Sequence, residues 1–285
     1  MNELLNNVME KKGMPILVGV FVFLFIVETV SQLRVRKEKR LTRAIINAGV
    51  ALPGFFALRL LLLPAMVWIA YENQEWKIGL NHLYELPMWA EGVITFLLLD
   101  YTNYLWHILN HKVPWLWRFH IVHHTDVDLD VTTALRFHAG EMIWSVFYRG
   151  FAVFIIGVSP LLVLIYEIVF EAATQFHHSN WKLPFRVEKF INKLIVTPRM
   201  HDIHHSIVRN ETDSNYSVIF SFWDRIHHTI NLAVPQNAIV TGVAVYANPK
   251  ELTIGYLLKL PFTRIREWKE HGPARGEEHK NQLRP

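Results

Sequence analysis

Cysteine is absent from this chain. That excludes disulfides, thiolate metal ligands, thiol nucleophiles and cysteine-ligated iron–sulfur clusters. Any metal must be held by nitrogen or oxygen donors. Excess charge of one sign is also scarce, since 29 Lys and Arg against 25 Asp and Glu leave a net +4. The basic residues are not interleaved with a nucleic-acid motif, so nucleic acid is not an expected partner. The 285 residues show no strong compositional break, which predicts a single domain. Apolar residues are abundant: 51% of the chain is hydrophobic and ten residues are Trp. That content is rich for a soluble domain and fits a membrane protein with a polar part.

Histidine is the other excess. Of sixteen, thirteen lie between His107 and His228. They are dispersed in apolar sequence, unlike an expression tag.

Four apolar stretches predict membrane segments. The first, 14–30, is nearly free of charge until Glu28 and is long enough to cross a hydrocarbon core of about 30 Å. No small-residue cleavage site follows it, so it is expected to be an anchor rather than a signal peptide. Six Lys and Arg between Arg34 and Arg43 follow instead, and the positive-inside bias assigns them to the cytoplasm. The second stretch is 44–71, interrupted by Arg59, which should face protein or snorkel. The third is 86–106, whose Glu91 and Asp100 are expected to face the bundle interior. The fourth, 147–176, contains Gly157 and Ser159-Pro160. A single crossing there would put His177 on the opposite side from His107–His138. A hairpin turning at Ser159-Pro160 keeps every histidine cluster on one face.

The expected fold is therefore an all-α integral membrane protein of about four transmembrane helices, the last pair a hairpin. Residues 107–146 and 177–263 form a cytoplasmic histidine-rich cap, and 264–285 a polar tail. One run in the cap, 237–246 ("NAIVTGVAVY"), reads as β-like.

His107 and His111 are spaced i, i+4, which puts both rings on one helical face. Asn103 and Asp100, one and two turns earlier, are placed to orient them. Then "RFHIVHHT" (118–125) and "RMHDIHHS" (199–206) repeat one phrase. Each supplies three imidazoles in an arc: His120, His123 and His124, then His201, His204 and His205. Eight imidazoles are too many for one ion and suit about two. The repetition predicts a two-metal centre in which each phrase serves one half, with Arg and Thr125 or Ser206 in parallel supporting roles. Spacing leaves Zn, Cu, Fe and Ni open. His82, His271 and His279 stand alone and read as ordinary polar residues.

The order H-x-x-x-H, H-x-x-H-H, H-x-x-H-H among membrane spans resembles the fatty acid hydroxylase/sterol desaturase superfamily. So do "WRFHIVHHTDVDLDVTTALRFHAGE" (117–141), "QFHHSNW" (175–181), "TPRMHDIHHS" (197–206) and "TDSNYSVIFSFWDRIHHT" (212–229). The resemblance covers roughly residues 90–230. It implies a membrane-bound di-iron oxygenase that uses O2 and external electrons to hydroxylate or desaturate a C–H bond of a lipid. Zinc is a conceivable occupant after purification. The implied ligands are His107, His111, His120, His123, His124, His201, His204 and His205, with His178 added by the family pattern. His138, Glu141, His177, Asp202 and Asp224 are implied as supporting residues around the metals. In this chain Ala follows His138 where the family commonly has Pro, and His227-His228 stands where many relatives have Phe-Gly. Those two histidines are expected to be exposed and without a role. No cytochrome-b5-like or ferredoxin-like segment is fused, so a separate electron carrier is expected. The short chain and the lack of a dilysine-type tail point to a bacterial inner membrane, or to the endoplasmic reticulum in a eukaryote.

The competing reading is a histidine-rich membrane metal-binding or transport protein without oxygenase activity. It calls for ionisable pairs along a path through the membrane, and Glu91 and Asp100 do not form one. The substrate stays open among sterol, fatty acyl chain, ether lipid, sphingoid base and carotenoid.

Overall fold

The structure, a computed structural model, describes residues 1–268. Most of the polar tail, with His271 and His279, lies outside the described residues. Eight helices organise the rest: α1 (Asn2–Val30), α2 (Arg40–His82, broken at 77–79), α3 (Met88–Lys112), α4 (Pro114–His124), α5 (Ala139–Ile156), α6 (Pro160–His178), α7 (Phe185–Ile191) and α8 (Pro198–His204). Beyond His204 the chain is built largely of shorter helical turns. No strand occurs among the described residues.

Three helices, α1, α2 and α5, are long and apolar enough to cross a membrane. α1 and α2 run past the apolar stretches that marked them in the sequence, and α5 starts before its own. Hydrophobicity stops at the headgroups, whereas backbone hydrogen bonding continues until a cap or a proline ends it. α1 begins at residue 2 rather than 14, and Glu10 near its start pairs with Arg59 of α2. The fourth stretch starts at Ala139 rather than Phe147, because the His138 Nδ1 caps the helix by accepting the Gly140 N–H at 2.9 Å. It ends at Gly157, whose φ of +78° is the left-handed conformation a helix stop takes. Gly157 lies against Gly79, where a side chain on either would collide with backbone. Pro160 then opens α6, so α5 and α6 are two helices joined by a three-residue turn.

Two expectations are corrected. Glu91 is not deep in the bundle: it sits in the first turn of α3, where a carboxylate meets the positive end of the helix. The run 237–246 is not a strand. It contains short 3₁₀ turns, and only Ser206–Thr241 pairs in β fashion. Its alternation serves burial of Ile239 and Val243, with no neighbouring strand to complete a sheet.

The core has two parts. Leu62, Met66, Val67, Leu99, Val153 and Tyr166 join α2, α3, α5 and α6. Val50, Trp117, Ile121, Val243 and Leu257 pack the start of α2 against α4 and the carboxy-terminal segment. Charge also ties the base to the cap. Glu28, fully buried at the end of α1, accepts from Val131 N at 3.1 Å and Asn180 N at 2.8 Å and pairs with Arg40 at 2.5 Å.

Candidate metal centre

Proline opens three of the four helices that carry the histidines: Pro114 in α4, Pro160 in α6 and Pro198 in α8. At the first helical position proline loses no hydrogen bond and presets φ. The fourth helix, α3, continues straight from the bundle to deliver His107 and His111.

Nine imidazoles meet in two buried groups. One holds His107, His111, His120, His124 and His204; the other holds His123, His178, His201 and His205. Within each group one donor nitrogen per ring lies within 4.8 Å of all the others. The expected division of labour does not hold. Each phrase feeds both groups, and the two are interlocked. α4 gives its i and i+4 rings, His120 and His124, to the first group and its i+3 ring, His123, to the second. The later phrase gives His201 and His205 to the second group and His204 to the first. The physical reason is angular. On a helix, i+3 and i+4 fall on opposite sides of i, about 100° apart. Two facing helices therefore form two clefts, and each helix contributes to both.

The second nitrogen of several rings is anchored. His107 Nδ1 donates to the Tyr216 carbonyl, His204 Nδ1 to Ser214, and His178 Nδ1 to Thr174, each at 2.7 Å. His120 Nδ1 donates to Glu141 at 3.0 Å. These bonds leave Nε2 of each ring as a lone pair turned inward. In the second group Nε2 of His178 lies 2.9 Å from that of His123 and 3.0 Å from that of His201, which is 3.1 Å from that of His205. The Nδ1 atoms of His123, His201 and His205 have no hydrogen-bond partner among the described residues. Four nitrogens converging with so few acceptors for their protons are satisfied by a cation at the point of convergence. Burial, and then the neighbouring imidazoles, push His123, His124, His201 and His205 well below the ordinary histidine pKa. Neutral imidazole is the form that ligates. The donor set thus fits two transition-metal ions.

The supporting residues divide. Glu141 touches the site directly through His120. Asp224 touches no imidazole. It accepts from Tyr216 N at 2.8 Å, Ser217 N at 2.9 Å and the Thr229 hydroxyl at 2.6 Å, and so braces the turn whose carbonyls hold His107 and His204. Asp202 points away, pairing with Arg34 at 2.5 Å and Gln236. His177 is outside both groups: its Nδ1 donates to Val218 at 3.1 Å and its ring lies 4.1 Å from that of His201. His138 caps α5 and reaches the Leu258 carbonyl at 3.1 Å. Asp100 and Asn103 do not orient His107. Asp100 takes Trp223 Nε1 at 2.8 Å and Phe220 N at 3.1 Å, and Asn103 donates to the Tyr166 hydroxyl at 2.9 Å. His227 is exposed and stacks on Tyr101 and Tyr104; His228, also exposed, has φ +57°. The repeated Arg and hydroxyl do not have parallel duties. Arg118 holds the Pro261 carbonyl and Arg199 holds Glu188, while Thr125 accepts from Arg136 and Ser206 donates to Glu211.

Three contributors carried no signal in the sequence. Phe137 stacks flat on His123, with ring centroids 4.4 Å apart. Asn215, at φ +56°, ties the 214–217 turn to the Met200 and Asn231 carbonyls. The backbone acceptors at 174, 214 and 216 are invisible to any motif.

The fatty acid hydroxylase family profile matches residues 92–229, which hold all nine rings. Residues 92–229 belong to the fatty acid hydroxylase family. Human cholesterol 25-hydroxylase is 31% identical over 171 residues, 58% of this chain and 57% of that protein. Human alkylglycerol monooxygenase is 29% identical over 229 residues, 77% and 47% of the two chains. Ornithine lipid hydroxylase of Rhizobium tropici is 28% identical over 184 residues, 62% and 52%. The chain spans about half the length of the curated relatives it matches. No solved structure matches.

A cavity opens from the histidines into the bundle. His120, His123, His178 and His201 line one part of it, with Leu58, Trp106, Met142 and Phe170 along its apolar wall. Glu141, Arg149 and Glu171 are its charged lining residues on α5 and α6, and Arg149 pairs with Glu167 behind it.

Proposed function

We propose that the chain is a membrane-bound di-iron oxygenase that uses O2 and external electrons to hydroxylate a C–H bond of a lipid, or to desaturate it. The single observation that carries this reading is the pair of buried imidazole groups facing an apolar cavity. His107, His111, His120, His124 and His204 would hold one ion, and His123, His178, His201 and His205 the other. Iron bound there would supply reductive activation of dioxygen. The residues supply everything around it. Tyr216, Ser214, Thr174 and Glu141 keep the ring protons outward and the lone pairs inward. The cavity wall of Leu58, Trp106, Met142 and Phe170 excludes water and accepts an apolar chain from the bilayer. Electrons come from a separate carrier, since the chain has no cysteine to hold an iron–sulfur cluster. By the positive-inside bias of Arg34–Arg43 the cap faces the cytoplasm, which fits a bacterial inner membrane.

The deciding experiment incubates the iron-loaded, detergent-purified protein with a reductase and carrier, membrane lipid extract and isotopically heavy dioxygen. Heavy oxygen in a lipid hydroxyl, dependent on reductant, is the expected result. Metal binding without any oxidised or desaturated lipid would return the reading to a metal-binding or transport protein.

Glu141→Ala removes the acceptor that holds the His120 tautomer. Loss of such an outer partner typically lowers metal affinity or activity about 10–100-fold. Glu141→Gln keeps an acceptor oxygen and should retain more of both. Equal losses in the two variants, measured by metal titration, would show that the hydrogen bond is not the cause.

A further inference from the structure

The segment 182–194 takes no part in the histidine chemistry, yet its amphipathicity is reversed. α7 turns polar residues inward: Glu188 is 2% and Asn192 just beyond it 6% exposed. Glu188 accepts from Arg199 N at 2.9 Å and Nε at 2.6 Å, and the Asn192 carbonyl accepts the Ser221 hydroxyl at 2.6 Å. Outward stand Phe185, Val187, Phe190 and Leu194, from 47% to 73% exposed. Val187, Phe190 and Leu194 are spaced i, i+3, i+7 and share one face. Arg186, Lys189 and Lys193 have the same spacing on the adjoining face, all exposed, with exposed Lys182 just before them. A helix facing water shows the opposite pattern.

Its position shows what covers it. Residues 180–182 pair with the chain leaving α1: Leu33 N donates to the Asn180 carbonyl at 2.8 Å, and Lys182 N to Ser31 at 2.9 Å. Trp181 packs edge-on against Phe23 of α1, with centroids 5.8 Å apart. α1 is one of the three helices able to cross a membrane, and it ends at Val30. The segment therefore begins at the level where that helix leaves the hydrocarbon. Trp at this level is the usual interfacial anchor.

We infer that residues 182–194 lie in the headgroup plane of the bilayer, with Phe185, Phe190 and Leu194 at the acyl boundary and Arg186, Lys189 and Lys193 on anionic lipid. Basic rows beside buried apolar ones bind such surfaces by both terms at once. An acidic protein partner would account for the basic row. It would not account for an apolar row placed at the end of a membrane span. Through Glu188–Arg199 the contact also sets the height of α8, and with it His201 and His204, above the membrane.

The absence of cysteine makes the test direct, because a single introduced cysteine is unique. Full-length protein carrying Phe190→Cys or, separately, Leu194→Cys is labelled with an environment-sensitive fluorophore. It is then placed in nanodiscs of phosphatidylcholine alone or with phosphatidylglycerol. Asn210→Cys, exposed beside Arg209, is the water-side control. Both segment labels should emit as in an apolar medium and be quenched severalfold more than the control by lipid-borne quenchers. Phosphatidylglycerol should strengthen this, and combined Arg186→Glu, Lys189→Glu and Lys193→Glu should remove the strengthening. Water-like, unquenched emission from both positions in both lipids would overturn the inference. So would shielding that appears only when a soluble acidic protein is added.

Discussion

His204→Ala and His123→Ala should each abolish lipid oxidation and lower bound metal while leaving membrane insertion intact. The two rings are the crossing members of the interlock, each lying on a helix that otherwise serves the other group. The wild-type protein, expressed with ample iron, should carry about two ions per chain, since nine donors divide into sets near the usual three or four per ion. Elemental analysis of each variant should show the loss. The identity of the affected ion separates the interlocked arrangement from one ion per phrase. His204→Ala should resemble His120→Ala in its metal spectrum and differ from His201→Ala, although His201 is its neighbour on α8. If His204→Ala instead matches His201→Ala, each phrase holds its own ion and the groups are misassigned. Full metal content in both alanine variants would remove the histidines as ligands altogether.

Arg43→Met should be the most damaging change away from the histidines. Arg43 is 5% exposed. It donates to both oxygens of Asp126, at 2.9 and 2.6 Å, to Asp130 at 2.6 Å and to the Asp128 carbonyl. Burial raises the Asp126 pKa, but the Arg43 and Arg136 guanidiniums outweigh it and hold the carboxyl at about 2. Deleting Arg43 leaves two buried carboxylates short of their counter-charge, a loss of about 3–5 kcal/mol for a broken buried pair. Asp126 directly follows the first of the two histidine phrases, so α4 loses its brace to α2 as well. Thermal unfolding in detergent should show a drop of several degrees together with weakened metal retention. Arg43→Lys should rescue little, because an ammonium cannot bridge Asp126 and Asp130 with a planar fork. Wild-type stability in Arg43→Met would mean that the cluster is solvated and not a structural tie.

Much of the site was legible because its signals are local. Ligand spacing of three and four residues records helical geometry directly for eight of the nine rings that meet, and the ninth, His178, is implied only by the family resemblance. Lone histidines without such spacing, such as His227, stay outside. Asp100 and Asn103 misled because they share a helical face with His107, and a shared face does not make a contact. Asp100 bonds to Trp223, 123 residues away, and His107 to a carbonyl 109 residues away. The β-like alternation of 237–246 misled for a related reason. A strand exists only with a partner, and its absence cannot be read from the run itself.

By itself, the sequence determined which side chains could ligate, that they sit on helices, and that long apolar segments carry them, because composition and periodicity act over a few turns. Only the tertiary structure decided which ring joins which group, which carbonyl sets each tautomer, and that Arg43, 83 residues away, joins Arg136 in neutralising Asp126. Those choices depend on how α3, α4, α6 and α8 cross. The crossing is set by packing and buried charge between residues far apart in the chain.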